Sequence, residues 1–217
     1  TMSGDGAGNV ALIISNSDGN TVTGSWMLNP SGYSAYLELG ADYNTISLST
    51  IMSNAVAASA LYITASSSNT ILNSYVEGST AALISGSTGT VFGGATLAAT
   101  NSAGSALAFT GGSVNLAVTT TTLIAPSLGR GLALNPGNSG LVSLSSVTVS
   151  GAARGIEIST QGASFSLTVD SITFRALASG ATAIHFLGGT FVSTITLADF
   201  EDVNIAINVN GAPLALA

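Results

Sequence analysis

The chain has 217 residues, of which 46% are hydrophobic and 6% charged, with 3 Lys+Arg against 10 Asp+Glu for a net charge of -7. Apolar content this high argues against disorder. Three arginines without a lysine cannot neutralise a phosphate track, so nucleic acid is not expected as a partner, and the lack of cysteine excludes a disulfide framework or a thiolate metal site.

The chain opens on a polar, glycine-rich lead-in, Ser3–Asn9. A short pattern then recurs to the end: a small residue, an apolar one, any residue, an apolar one. Its apolar pairs are Leu12/Ile14, Leu37/Leu39, Leu61/Ile63, Ala82/Ile84, Leu107/Phe109, Leu132/Leu134, Ile156/Ile158, Ile184/Phe186 and Ile207/Val209. First members lie 21 to 28 residues apart. The residue before each pair is Ala or Gly, except Tyr36. A second apolar row runs Val22, Ile46, Ile71, Val91, Leu116, Val142, Leu167 and Ile195, with its short and long steps in the same repeats as the first row. Alternation with period 2 marks strands with one buried face, and Gly, Ser, Asn and Asp between them mark turns. One such repeat cannot bury its own apolar face; stacked repeats bury a shared column.

These observations predict an all-β, right-handed parallel β-helix (a β-solenoid) of about nine coils, roughly 40 Å long at a strand spacing of about 4.8 Å, with the hand set by the crossover rule. A helical protein would need apolar residues at i, i+3, i+4 and i+7. A leucine-rich repeat would need its Leu-x-x-Leu-x-Leu frame, which is absent. Residues 1–217 read as a single domain. The uncharged C-terminus, Asn210–Ala217, reads as an interrupted coil, so the chain is expected to be a segment of a longer solenoid, with end coils open to self-association. No run of 18 apolar residues occurs, so membrane insertion is not expected. The acidic, lysine-free, Ser/Thr-rich composition suits secretion or a bacterial cell surface.

Three early repeats share a motif: Asp18-Gly19-Asn20-Thr21-Val22, Asp42-Tyr43-Asn44-Thr45-Ile46 and Ser67-Ser68-Asn69-Thr70-Ile71. Each is followed by a polar stop, Gly24-Ser25, Leu48-Ser49 or Asn73-Ser74. The motif resembles the degenerate Asn-Thr-Ile/Val repeat of right-handed β-helix proteins: the pectate-lyase-like superfamily, periplasmic carbohydrate-binding repeat proteins and autotransporter passengers or adhesins. It covers about a third of the chain. The resemblance implies the fold and leaves the activity open, because the fold hosts lyases, hydrolases and adhesins alike. The Asn-Thr-Asp, Gly-His-Gly and Arg-Ile-Lys signatures of the polygalacturonase-like enzymes are absent.

Chemistry on such a scaffold is expected from side chains that point outward on adjacent coils. The outward positions of the anchor strand read Ile13, Glu38, Tyr62, Leu83, Ala108, Ala133, Glu157, His185 and Asn208. Glu157 and His185 become neighbours and form a candidate acid/base pair, with Arg154 beside them and Arg130 one coil earlier. Asp170, Asp199, Glu201 and Asp202 lie on nearby coils, and the longest coil places its extra residues near 174–181. Tyr36 and Tyr62, with Glu38, are the candidate ligand-binding residues, for a glycan. No cofactor and no metal site is expected. Residues 78–129 contain no Asp, Glu, Lys, Arg or His, which marks a face for self-association or adhesion. The run Thr119–Thr122 lacks aligned threonines on adjacent coils, so it does not read as an ice-binding array. The main functional expectation is an extracellular β-helix with a structural or adhesive role and no catalysis. The alternative is a carbohydrate-binding or polysaccharide-degrading β-helix.

Overall fold

A computed structural model of the chain describes residues 1–6, 8–162, 164–189, 191–210 and 214–216. The described residues form three parallel sheets of nine strands each, without helices. Sheet I stacks Met2–Ser3, Trp26–Asn29, Thr50–Ser53, Tyr75–Gly78, Thr96–Ala99, Thr122–Ile124, Thr148–Ser150, Thr173–Arg175 and Asp199–Phe200. Sheet II stacks Leu12–Ser15, Ala35–Glu38, Ser59–Thr64, Thr80–Ser85, Ser105–Thr110, Arg130–Leu134, Arg154–Ile158, Thr182–Phe186 and Ile205–Val209. Sheet III stacks Thr21–Thr23, Thr45–Ser47, Thr70–Leu72, Thr88–Gly93, Val114–Thr119, Ser139–Ser145, Ser166–Asp170, Phe191–Thr196 and Leu214–Leu216. Each strand pairs with its equivalent one coil on, which is the parallel β-helix read from the repeat.

The inward side chains form straight files. On sheet II one file runs Leu12, Ala35, Leu61, Ala82, Leu107, Leu132, Ile156, Ile184, Ile207. Its partner runs Ile14, Leu37, Ile63, Ile84, Phe109, Leu134, Ile158, Phe186, Val209. From Leu37 to Phe186 the second file is fully buried, and each such side chain contributes about 1.5–3 kcal/mol over leaving it in water.

The register corrects the sequence reading in the second coil. The inward pair there is Ala35/Leu37, not Leu37/Leu39. Leu39 is 65% exposed and has a left-handed φ of 53°. Leu37 therefore stands in the file beside that of Leu61, Leu107 and Leu132. The anomalous Tyr36 disappears as well, because the residue before the pair is now Ser34, small like the rest. Choosing the pair by hydrophobicity alone favoured two leucines over an alanine.

The small residue before each pair has a packing cause. Ala60, Ala81, Ala106 and Ala183 are fully buried at the corner between sheets I and II. A Cβ on Gly131 would lie 2.3 Å from Val149 Cγ1, and one on Gly155 would lie 2.5 Å from Phe174 Cε1. Ser34 fits the same slot by donating its hydroxyl to the Met52 carbonyl.

Sheet III also departs from the expected row. The file that continues Val22, Ile46 and Ile71 is Phe92, Val118, Leu144, Val169 and Ile195. Leu116, Val142 and Leu167 form a second inward file with Thr90, and Val91 alternates to the outer face. The short coil survives: Ile71 to Phe92 and Leu61 to Ala82 are both 21 residues. The long step does not coincide in both sheets. It is 28 residues from Ile156 to Ile184 and 26 from Val169 to Ile195.

The corners differ in rigidity of length. From sheet III to sheet I the inward residues are always five apart: Val22 to Met27, Ile46 to Ile51, Ile71 to Val76, and so on to Ile195 and Phe200. Each of these corners has a left-handed residue in the same place: Gly24, Leu48, Asn73, Gly94, Thr120, Ser146, Ser171 and Leu197. From sheet I to sheet II the step ranges from six residues (Val76 to Ala82) to ten (Phe174 to Ile184). From sheet II to sheet III it ranges from eight residues (Ile14 to Val22) to eleven (Ile158 to Val169), so only the edge between sheets III and I is constant.

The Asn-Thr motif is a side-chain ladder. Asn44 Oδ1 accepts the Asn20 backbone N–H at 2.8 Å, and Asn69 Oδ1 accepts that of Asn44 at 2.9 Å. Asn69 Nδ2 donates to the Ala41 carbonyl at 2.7 Å. Asn44 and Asn69 are buried, so the ladder satisfies backbone donors that have no strand partner at this turn. A serine ladder runs beside it, Ser66, Ser87 and Ser113 each accepting from the backbone one coil back, and ends at Asn138. The asparagine ladder stops at Thr90, whose hydroxyl is buried without a partner.

Two substitutions test the ladder. Asn69→Ala strands a buried donor and a buried acceptor and should cost about 1–3 kcal/mol in urea unfolding. Thr90→Val removes an unpaired hydroxyl and should leave stability unchanged or raise it by up to about 1 kcal/mol. A large loss in Thr90→Val, or none in Asn69→Ala, would contradict the ladder.

Candidate functional site

The outward file of sheet II runs Ile13, Tyr36, Tyr62, Leu83, Ala108, Ala133, Glu157, His185, Asn208. It matches the sequence reading except that Tyr36 takes the place assigned to Glu38, which sits at its strand's end opposite Ser15. Two groups of side chains gather on it.

The first group is charged. Arg130 and Arg154 face each other across adjacent strands, as do Glu157 and His185. Arg130 Nε pairs with Glu157 Oε1. Arg154 Nε–H donates to His185 Nδ1 at 3.2 Å, and Glu157 Oε2 lies 3.9 Å from the same nitrogen. With Nδ1 accepting from Arg154, the proton of the neutral ring is on Nε2. His185 is only 8% exposed. Burial first, and the Arg154 charge second, depress its pKa below the ordinary 6.5, against an opposing pull from Glu157. Acidification sets Arg154 and Glu157 in competition for Nδ1: the imidazolium has no lone pair to accept from the guanidinium and turns its new proton to the carboxylate.

A depression of about 340 Å³ opens beside this group, lined by Leu128, Arg130, Ala153, Arg154 and Glu157. It is a shallow basin rather than a deep cleft. The I-to-II corner supplies Leu128 and Ala153, so an edge of variable length forms one of its walls. The acidic residues expected nearby do not join it. Asp170 lies on sheet III, Asp199 on sheet I, and Glu201 and Asp202 are exposed beyond that strand. Among the described residues no three His, Asp or Glu side chains are grouped to hold a metal ion.

The second group is aromatic. Tyr36 and Tyr62 stack with ring centroids 5.1 Å apart and planes within 6°. Tyr33, from the corner before Tyr36, leans on both at 5.5 and 5.1 Å. Of Trp26, Tyr33, Tyr36, Tyr43, Tyr62 and Tyr75 in the first coils, these three come together. Trp26 and Tyr75 stand on sheet I with Thr50 between them, and Tyr43 is exposed on the II-to-III corner. Stacking uses the faces of the Tyr36 and Tyr62 rings, so the trio offers edges and hydroxyls rather than an open platform. The Tyr36 phenol is pushed up to about 12, by burial first and then by its hydrogen bond to Glu38.

The other surfaces are plainer. Thr119 faces Gly93 and Ser145 rather than further threonines. Sheet I does carry a threonine file, Thr96, Thr122, Thr148 and Thr173, which the sequence reading missed by aligning on sheet III. Its neighbouring outward positions are Ala98, Ile124, Ser150 and Arg175, so no paired hydroxyl array forms. No helix among the described residues is long and apolar enough to cross a membrane.

The His185 environment sets a pH dependence. A base whose folded pKa lies below its unfolded value binds fewer protons when folded. Its contribution is therefore complete above 6.5 and is lost as pH falls from 6.5 towards the depressed folded value. In urea titrations the native protein should lose more stability over that window than His185→Gln. Parallel pH profiles for the two proteins, or a native protein that gains stability on acidification, would contradict this environment.

No protein-family model matches the chain, and no curated protein matches it by sequence. Among solved structures it is similar to an alginate lyase from Paenibacillus sp. str. FPU-7, with a TM-score of 0.55 and 13% identity over 96% of this chain and 91% of that one. At that identity the likeness is one of fold: this chain is a parallel β-helix, like that alginate lyase.

Proposed function

We propose that the protein acts on an acidic polysaccharide, and that Arg130, Arg154, Glu157 and His185 form the site. One observation carries this reading. The chain has 3 Lys+Arg and 1 His against 10 Asp+Glu, yet Arg130 and Arg154 line one basin and His185 contacts Arg154 beside it. In a molecule of net charge -7, gathering the basic groups creates a local attraction for a carboxylate. Arginine forks suit carboxylates in particular. The polysaccharide-lyase neighbour supports the same class of substrate. We propose with it an extracellular or cell-surface location, where such polymers are met.

The chemistry is an elimination at a uronate. The two guanidinium groups hold the sugar carboxylate and stabilise the negative charge that builds on it as the C5 proton leaves. Glu157 takes that proton. The C4–O bond breaks, a C4=C5 double bond forms, and the leaving oxygen takes a proton from solvent at the open basin. His185 holds Arg154 in place through Nδ1. Tyr36, Glu38 and Tyr62 are kept as sugar contacts outside the reacting residue.

The test is incubation with alginate, polygalacturonate and a neutral glucan, following the ultraviolet absorbance of the unsaturated product. Turnover is expected on a uronate polymer and not on the glucan. Glu157→Gln should lower kcat by at least about 10²-fold, the usual scale for a lost general base, and Arg154→Ala should raise KM. Absence of product from both uronate polymers, or full turnover by Glu157→Gln, would remove the proposal.

A second reading, adhesion or self-association, draws on the uncharged stretch 78–129, where Ile124 and Leu128 are exposed. It predicts concentration-dependent association in light scattering; a constant monomer mass at high concentration would exclude it.

A further inference from the structure

Sheet III presents an outer face unlike the other two. Its outward file from Thr21 to Thr194 and the one beside it, from Thr23 to Thr196, hold a single charged side chain, Asp170. Sheet I carries Glu77, Arg175 and Asp199, and sheet II carries Glu38, Arg130, Arg154 and Glu157. In the middle of the sheet III face lies a largely apolar depression of about 310 Å³, whose lining includes Gly89, Val91, Asn115, Ala117, Leu141 and Ser143. A β-bulge raises its rim. Val114 pairs with Ser139 and Leu116 with Val142, so Asn115 alone faces Gly140 and Leu141. Asn115 Oδ1 accepts the Leu141 N–H at 2.8 Å, and Asn115 and Gly140 are left-handed, with φ of 57° and 72°. Bulges re-aim side chains, and this one leaves Leu141 45% exposed. One strand to the other side of Asn115 the matching position is Gly89, between the pairs Thr88/Val114 and Thr90/Leu116. It has no side chain and leaves a gap.

We infer that a second copy of this chain docks on this face, in a two-fold dimer whose axis runs along the strand Val114–Thr119, so that each Leu141 enters the gap at Gly89 of the partner subunit. Such an axis exchanges the strands on its two sides. It lays Thr88–Gly93 of one copy over Ser139–Ser145 of the other, with Leu141 as knob and Gly89 as hole, twice over. Ala117 meets its own copy on the axis, and Val91 meets Ser143. Asp170 is two strands from the axis, so it stands about four strands, or roughly 19 Å, from its symmetry mate. Three observations select a second copy as the occupant. Knob and hole lie on one face at equal distance from one strand, which is the self-complementarity that a two-fold contact requires. Two molecules of net charge -7 repel each other, and this face brings only Asp170 of its strand residues from each copy. Eight steps of about 4.8 Å and strands of about five residues make a face of roughly 38 by 17 Å. Two such faces cover about 1,300 Å², within the roughly 1,200–2,000 Å² of specific interfaces. The dimer rests on the self-association reading, which it deepens by naming one partner and one face, and it is independent of the polysaccharide reading.

The measurement is light scattering over a concentration series, with no sugar present. The native mass should double in one step and stop there. Leu141→Ala should raise the dimer dissociation constant at least about tenfold, the scale of one buried leucine. Leu128→Ala, at another exposed leucine, should leave it unchanged. Ala117→Glu and Ala117→Lys each set like charges together on the axis and should stay monomeric alone. Mixed in equal amounts, they should pair to twice the chain mass. A constant monomer mass for the native protein would overturn the dimer and the self-association reading together. Growth beyond a dimer, a dimer untouched by Leu141→Ala or weakened equally by Leu128→Ala, or a mixture of the two Ala117 variants that stays monomeric would overturn this face and leave self-association standing. Ala117 and Leu141 are outward and partly exposed, so each variant should melt with the native protein at low concentration. Where an Ala117 variant melts lower, Leu141→Ala alone decides.

Discussion

Each coil of this solenoid presents its Leu, Ile, Val and Phe side chains on one face of strands two to seven residues long, too short to bury them unaided. Burial comes from the coil above and the coil below, in register. The file from Leu37 through Phe109 to Phe186 is dry only because each member is covered by its equivalents. A slip of one residue would turn the whole set outward. This single demand for register explains the small residues at the sheet I/II corner, where Val149 and Phe174 leave no room for a Cβ at Gly131 or Gly155. It also suits the buried ladders, whose members accept from the backbone of the coil before.

The same demand separates what must be constant from what is free to vary. The corner between sheets III and I keeps its five-residue step and its left-handed residue even where that residue is an exposed leucine, Leu48 or Leu197. The left-handed conformation costs a non-glycine residue roughly 1–2 kcal/mol, so the geometry of that corner outweighs local preference. The corner between sheets I and II changes length freely, because it lies outside the inward files. Loops free to vary on a rigid frame are where sites are built. Tyr33, Leu128 and Ala153, beside the two residue groups, all come from that edge.

The fold was legible in the sequence because period 2 within strands and about 24 residues between them are imposed by stacking. Register was less legible. Leu39 is as hydrophobic as Leu37, and only its left-handed φ and exposure show that the strand has ended. Val91 was taken for Phe92 for a similar reason: adjacent apolar residues hide which one alternates inward. The pairing of Glu157 with His185 was legible, since both fall one residue into their apolar pair. The partnership of Arg130 with Glu157 was not, because it depends on a long side chain reaching across a strand. The stacking of Tyr33 on Tyr36 and Tyr62 depends on the path of a corner, which carries no period. The spread of Asp170, Asp199, Glu201 and Asp202 over different faces was equally hidden, since nearness in sequence says little about which sheet a residue joins.

A lysine-free chain with few charges leaves most of its surface to hydroxyls and backbone, so the charges it does carry stand out by position. That position is a product of register: shift one strand and Glu157 no longer faces His185. The most direct measurement uses the absence of native cysteine. Cysteines placed at Tyr36 and Tyr62, whose Cα atoms are register partners, should close a disulfide on mild oxidation, because a strand spacing of about 4.8 Å falls in the bonding range. Cysteines at Glu38 and Tyr62, offset by two residues along the strand, should stay reduced. Ready closure of the second pair in place of the first would contradict the register on which the core and the site both depend.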